Sequence, residues 1–191
     1  MKPVFTRVIV AIGIPLAVFL ILGALMMVLT GRNKLPEIDN SASIPLNFRV
    51  WGYNEADMMN FWEWLEVDGR DAERCFLLAD LAFPFAYGAG LLTGLFLAWT
   101  WANRPFANGW LMAPVAITVI ADWTENLIQL GQLSRFTESV PMQDAWIQVA
   151  STATSIKLIF FVMTLILIIV LCCRVRPQNQ PGSAEATSSF M

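Results

Sequence analysis

The chain contains no histidine. That removes His-ligated zinc, His-ligated haem and every His-based catalytic triad, and no metal ligand, cofactor or catalytic residue is assigned from the sequence. Charge is scarce as well. Asp, Glu, Lys and Arg make up 14% of 191 residues, against about 25% in a typical soluble domain. Twelve basic residues face fifteen acidic ones, for a net charge of −3. With no basic face, nucleic acid is excluded as a partner. Cysteine is limited to Cys75, Cys172 and Cys173, and the adjacent pair lacks the C-x-x-C spacing of a thiol oxidoreductase.

What fills the chain instead is apolar: 57% of residues are hydrophobic. Too little polar surface is left to cover a soluble globule of this size. Four stretches reach the roughly 20 residues that cross a bilayer at about 1.5 Å each. They run over about 8–30, 75–101, 109–131 and 145–173. The first is longer than a signal-peptide core and no A-x-A site follows, so it reads as an uncleaved span. Lipid cannot satisfy backbone N–H and C=O groups, so the spans must be helices. The expectation is an all-α polytopic membrane protein, a four-transmembrane-helix bundle over residues 1–176, seated in the lipid bilayer of an inner or plasma membrane. Residues 177–191, PQNQPGSAEATSSFM, read as a disordered cytoplasmic tail.

Basic residues set the expected orientation. Lys2, Arg7, Arg104, Arg174 and Arg176 fall on one side of four spans, which places both termini in the cytoplasm and residues 31–74 outside. Trp99, Trp101 and Trp110 would mark the inner interface, and Trp51, Trp62, Trp64 and Trp146 the outer one; Trp123 alone lies well inside a span. Cys172 and Cys173 sit at the inner edge, as small residues closing a helix end or as acylation sites. Cys75, on the other side, cannot pair with either.

Residues 31–52 show no sustained period and read as an irregular loop. An amphipathic helix over about 54–68 follows, with Asn54 as its cap, Asp57 three residues on, and Gly69 as its end. Met58, Phe61, Trp62 and Leu65 share one face; Glu55, Asp57, Glu63 and Glu66 occupy the other. The helix is expected to lie on the outer membrane surface or to cap the bundle.

Four ionisable residues fall inside the spans: Asp80, Asp122, Glu125 and Lys157. Each costs on the order of 2.5–3.5 kcal/mol at a helix centre, so each should face the interior with a partner. At 1.5 Å per residue they share one layer, roughly 8–18 Å deep in the outer half. On the third span Thr118, Asp122, Glu125, Asn126 and Gln129 form one stripe. On the second, Asp80, Pro84 and Tyr87 share a face, and Pro84 should kink the helix. On the fourth, Lys157 shares its side with Ala150, Ala153, Thr154 and Thr164. On the first, the small residues Gly13, Ala17 and Ala24 would allow close helix approach.

Three carboxylates and one ammonium cannot all be charged and paired in a dry site. Three readings stay open. In an acidic, partly hydrated pocket opening outward in the outer half of the bundle, Asp80, Asp122 and Glu125 bind a proton or a small cationic or lipid-like ligand, with Lys157 as counter-charge and Tyr87, Asn126 and Gln129 as neutral hydrogen-bonding groups. Alternatively, the layer is a buried ion-pair network in a structural or assembly subunit that meets a membrane-protein partner or a second copy of itself. The third reading is an intramembrane enzyme using the carboxylates as acid and base; no nucleophile with an activating base accompanies it.

One stretch carries a resemblance. In YNEADMMNFWEWLEVDGRDAERCFLLADLAFPFAYG and the later DWTEN, the chain resembles small uncharacterised bacterial four-span membrane proteins. In these an acidic amphipathic helix and a G-R pair precede a D-x-x-F-P-x-x-Y span, and D-x-x-E-N follows on a later span. The matching positions are Gly69, Arg70, Asp80, Phe83, Pro84, Tyr87, Asp122, Glu125 and Asn126. The resemblance covers roughly residues 53–130 and implies the four-span fold; it brings no activity with it. A looser similarity to the sterol-isomerase and sigma-2-receptor group, four spans with buried acids, carries no chemistry, because the isomerase's catalytic histidine has no counterpart.

Overall fold

A computed structural model of the protein describes residues 2–32, 44–102 and 109–174. The proposed tail, Arg104, Arg176 and residues 33–43 of the irregular loop lie outside the described residues. Six α-helices and no strand occur among those described: α1 (Lys2–Leu29), α2 (Glu55–Trp64), α3 (Glu66–Asp80), α4 (Phe83–Trp101), α5 (Ala113–Thr137) and α6 (Asp144–Cys173). Four helical stretches are long and apolar enough to cross a membrane: Val4–Leu29, Phe83–Trp101, Gly109–Thr137 and Asp144–Cys173.

Helix α5 packs most extensively on α6, with which it forms an antiparallel pair, and α1 packs on α4. The α5–α6 turn is tied back on itself. Arg135 Nε donates to the Pro141 carbonyl at 2.8 Å, and the Gln143 N–H donates to Gln132 Oε1 at 2.9 Å. The α1–α4 seam has a backbone cause. Pro15 lies inside α1 and has no N–H, so the carbonyl of Ala11, four residues earlier, loses its intrahelical donor. Gly94 of α4 backs onto that carbonyl: a methyl group added at Gly94 would overlap the Ala11 oxygen, so one Cα–H of the glycine points towards it. At Gly90, one turn earlier, an added Cβ would stand 3.3 Å from Pro15 Cα. The expected small-residue stripe of α1 is therefore corrected. Ala11 and Pro15 are buried at the seam, whereas Ala17 and Ala24 are exposed.

Residues Glu55–Trp64 form a helix whose N-terminus is closed by both hydrogen bonds of a capping box. Asp57 N–H donates to Asn54 Oδ1 and Asn54 N–H donates to Asp57 Oδ2, each at 3.0 Å, while Arg49 Nη1 reaches Asp57 at 2.9 Å. Its apolar face meets protein: Met58, Phe61 and Trp62 are fully buried against Leu77, Leu133, Ile147 and Ala150. Gly69 does not end this helix. The chain turns at Leu65, Glu66 takes a left-handed φ of 56°, and Gly69 lies buried inside α3.

The expected span from residue 75 is interrupted in the same way. Helix α3 stops at Asp80, and α4 starts at Phe83 with Pro84 in its first turn, where a missing N–H is harmless. The kink expected at Pro84 is thus a break at Leu81–Ala82. It is braced by Trp123, whose Nε1 donates to the Leu81 carbonyl at 2.9 Å.

Buried side chains fall into two apolar clusters. One gathers Ala11, Leu91, Leu95, Ala98, Val115, Ile168 and Cys172. The other gathers Leu46, Met58, Phe61, Trp62, Leu133 and Ile147. Along α5 the buried sequence runs Val115, Thr118, Asp122, Glu125, Asn126, Gln129, Leu133, and along α6 it runs Ile147, Ala150, Thr154, Thr164, Ile168. The polar residues thus separate the two clusters as a layer.

Candidate functional site

Helix α5 supplies most of that layer because Asp122, Glu125, Asn126 and Gln129 recur at helical spacing on one face. All four are at most 3% exposed. Lys157 of α6 reaches across and donates to Asp122 Oδ1 at 2.9 Å and to Glu125 Oε2 at 2.5 Å; its side chain is 18% exposed. Tyr87 of α4 donates its hydroxyl to Asp122 Oδ2 at 2.8 Å. Gln129 Nε2 donates to Glu125 Oε1 at 3.0 Å. Asp80, at the end of α3, takes one hydrogen bond of 3.0 Å from Asn126 Nδ2 to its Oδ2. The structure therefore brings Asp80, Tyr87, Asp122, Glu125, Asn126, Gln129 and Lys157 into one connected set, with Asp80 joined to the rest through α5.

The arrangement is electrostatically uneven. Asp122 and Glu125 share one ammonium. Asp80 has a neutral amide and, among the described residues, no cation within ion-pair distance. Burial disfavours the charged form of such an acid. A surplus of negative charge is thus concentrated between two apolar clusters.

Three residues belong here that the sequence reading missed. Tyr53 precedes α2, yet its hydroxyl accepts from Gln129 Nε2 at 3.1 Å. Burial and then the nearby Glu125 charge push that hydroxyl well above its ordinary range, so it stays neutral. Its backbone is fixed on α6: the Tyr53 N–H donates to Ser151 Oγ at 2.8 Å, and Ser155 Oγ donates to the Val50 carbonyl at 3.0 Å. Gly52, with φ of 90°, makes this approach, since a Cβ there would stand 2.7 Å from Ser151 Oγ. The other two are Arg32 and Glu73, which form a buried pair at 3.0 Å with side chains 4% and 2% exposed. The Arg32 guanidinium lies 3.8 Å from the Phe76 ring centre. Burial pushes the Glu73 carboxyl above the usual carboxylate range, with Arg32 pulling the other way. Nothing in a single sequence marks Arg32 and Glu73 as partners, because each reads as a solvated charge of the long connection.

Tyr53→Phe removes the hydroxyl that ties the segment before α2 to the layer and leaves the ring. The expected cost is about 1 kcal/mol. A lower denaturation midpoint with an unchanged denaturant slope would report it; an unchanged midpoint would show the bond contributes nothing.

An open groove of about 620 Å³ runs between α5 and α6, lined by Ile117, Ile120, Val149 and Ile156 with Thr124 and Thr152. It is apolar, and none of its lining residues belongs to the connected polar set. Comparisons with known protein families, with curated proteins and with solved structures give no match to this chain.

Proposed function

We propose that the chain is a multi-pass membrane protein whose buried acidic layer binds a proton, with Asp80 as its seat. The observation that carries this is the unequal partnering. Lys157 holds Asp122 and Glu125, while Asp80, 4% exposed, is hydrogen-bonded by an amide and feels Lys157 and Arg32 only from beyond ion-pair distance. A carboxyl so placed is neutral at lower cost than charged. The tight packing favours a proton over the bulkier amine or lipid-like ligand that the sequence also allowed, because a proton needs no cavity. The excess of Lys and Arg at the chain ends supports cytoplasmic termini in an inner or plasma membrane. On that orientation the segment before α2, with α2 itself, covers the layer from outside.

Infrared spectroscopy of the purified protein tests the reading. A carbonyl band of a protonated acid is expected near neutral pH in sodium-free buffer, lost in Asp80→Asn and kept in Glu125→Gln. Its absence from the wild type overturns the proposal.

A second reading has its own support. The chain Tyr53–Gln129–Glu125–Lys157–Asp122–Tyr87 ties the long connection, α5, α6 and α4 together, as a structural or assembly subunit with a membrane-protein partner or a second copy would require. An enzymatic reading finds no such support.

A further inference from the structure

We infer that the break between α3 and α4 is a seat for a small monovalent cation of the sodium kind, held by the Asp80 carboxylate and the Asn126 side-chain oxygen in exchange for the proton. This deepens the proton reading above and rests on it.

Three observations converge. The first is an orphaned acceptor. Asn126 is fully buried, its nitrogen is committed to Asp80, and its Oδ1 is buried with no hydrogen-bond donor. Buried amide oxygens are rarely left so, and an unexplained one beside a carboxylate points to a group that the oxygen would hold. The second is the break itself. Helix α3 ends at Asp80, so the partial negative charge of its C-terminus falls on the same place. The Asp80 carbonyl is covered by Asn126 Nδ2 at a long 3.4 Å. The break lies at the start of the span Phe83–Trp101, and in transporters the C-terminal ends of broken helices coordinate small cations. The third is charge. Glu73 is paired with Arg32, and Asp122 and Glu125 with Lys157. Four buried acids face two cations, and Asp80 is the acid with no cation within ion-pair distance; Lys157, Arg32, Asp122 and Glu125 act on it only from farther away, and one bound positive charge would offset its own. Oxygen ligands of this kind suit a hard cation. A divalent metal is not favoured, since no group of three or more acidic or cysteine side chains converges to hold one among the described residues.

The two occupants use the same amide differently. With a proton on Asp80, the carboxyl O–H needs an acceptor, and the amide turned over presents Oδ1 to it. With a cation bound and the carboxylate charged, the amide stands as observed and Oδ1 becomes a ligand. One cation enters and one proton leaves, so the charge of the layer is unchanged.

The test uses the full-length protein in detergent, with sodium chloride titrated against choline chloride at constant ionic strength. Sodium is expected to dim the protonated-acid infrared band, to release about one proton per chain, and to raise Tm by about 5–10 °C at a hundredfold excess over Kd. Asn126→Leu is expected to keep the band and lose the sodium response, which separates ligation from folding. Direct radiosodium binding to the wild type provides a readout that needs no variant. If the band is present and sodium neither binds nor changes it, the cation seat is overturned and the proton reading stands. If the band is absent and sodium has no effect, both fall. Sodium stabilisation without any protonated-acid band overturns the exchange and the proton reading together.

Discussion

Lys157→Met is expected to destabilise the protein by about 3–5 kcal/mol, the largest single-residue effect in the structure. Two carboxylates that share one ammonium would be left buried and unpaired. The loss comes from stranding Asp122 and Glu125, so it should be reversible by chemistry. Adding Asp122→Asn and Glu125→Gln in the same chain removes both charges, and most of the stability should return, because a buried ion pair contributes little net once desolvation is counted. Reversible unfolding in mixed micelles measures both variants. If Lys157→Met alone costs under about 1 kcal/mol, water screens the layer's charges and burial does not isolate them.

Gly94→Ala should be the second large effect. Elsewhere in a helix the change would be favourable by roughly 1 kcal/mol. Here the new methyl group overlaps the Ala11 carbonyl, which is backbone and cannot rotate away. Overpacking of this kind costs about 1–3 kcal/mol. Gly13→Ala is the matched control, since its added Cβ would meet Ile9 Cγ2 at an ordinary 3.8 Å. A melting temperature lowered by Gly94→Ala and not by Gly13→Ala locates the seam. Equal responses would say that α1 does not pack on α4 through Ala11 and Pro15.

These two variants also separate what the sequence makes legible from what it does not. The stripe on α5 is legible because four polar side chains recur at helical spacing in an apolar span, and a lone lysine in the next span is the obvious counter-charge. The contact face of α1 is not. Gly13, Ala17 and Ala24 look like a packing stripe because they are small, but the seam is set by Pro15 freeing a carbonyl three-dimensionally opposite Gly94. Tyr53 was missed because it lies 76 residues from Gln129 in a stretch without periodicity. Pro84 in the sequence predicts a kink and not the break at Leu81–Ala82, since composition does not distinguish a bent helix from two helices. Likewise Gly69 looked like a helix end, whereas Glu66 takes the left-handed conformation at the true corner, a choice that tertiary packing imposes against local preference.

The seam between α1 and α4 also sets a schedule for synthesis. Ala11 and Gly94 are 83 residues apart, so at about 5–20 residues per second α1 waits roughly 4–17 s before its partner exists. It can wait, because its apolar stretch has a mean hydropathy of 2.9 and carries no acid or base from Val8 to Leu29. Helix α5, with a mean hydropathy of 1.2, cannot linger in lipid with its acids unpaired. Its counter-charge arrives soonest, since Lys157 follows Glu125 by 32 residues. The order of the chain thus matches each helix's tolerance for delay.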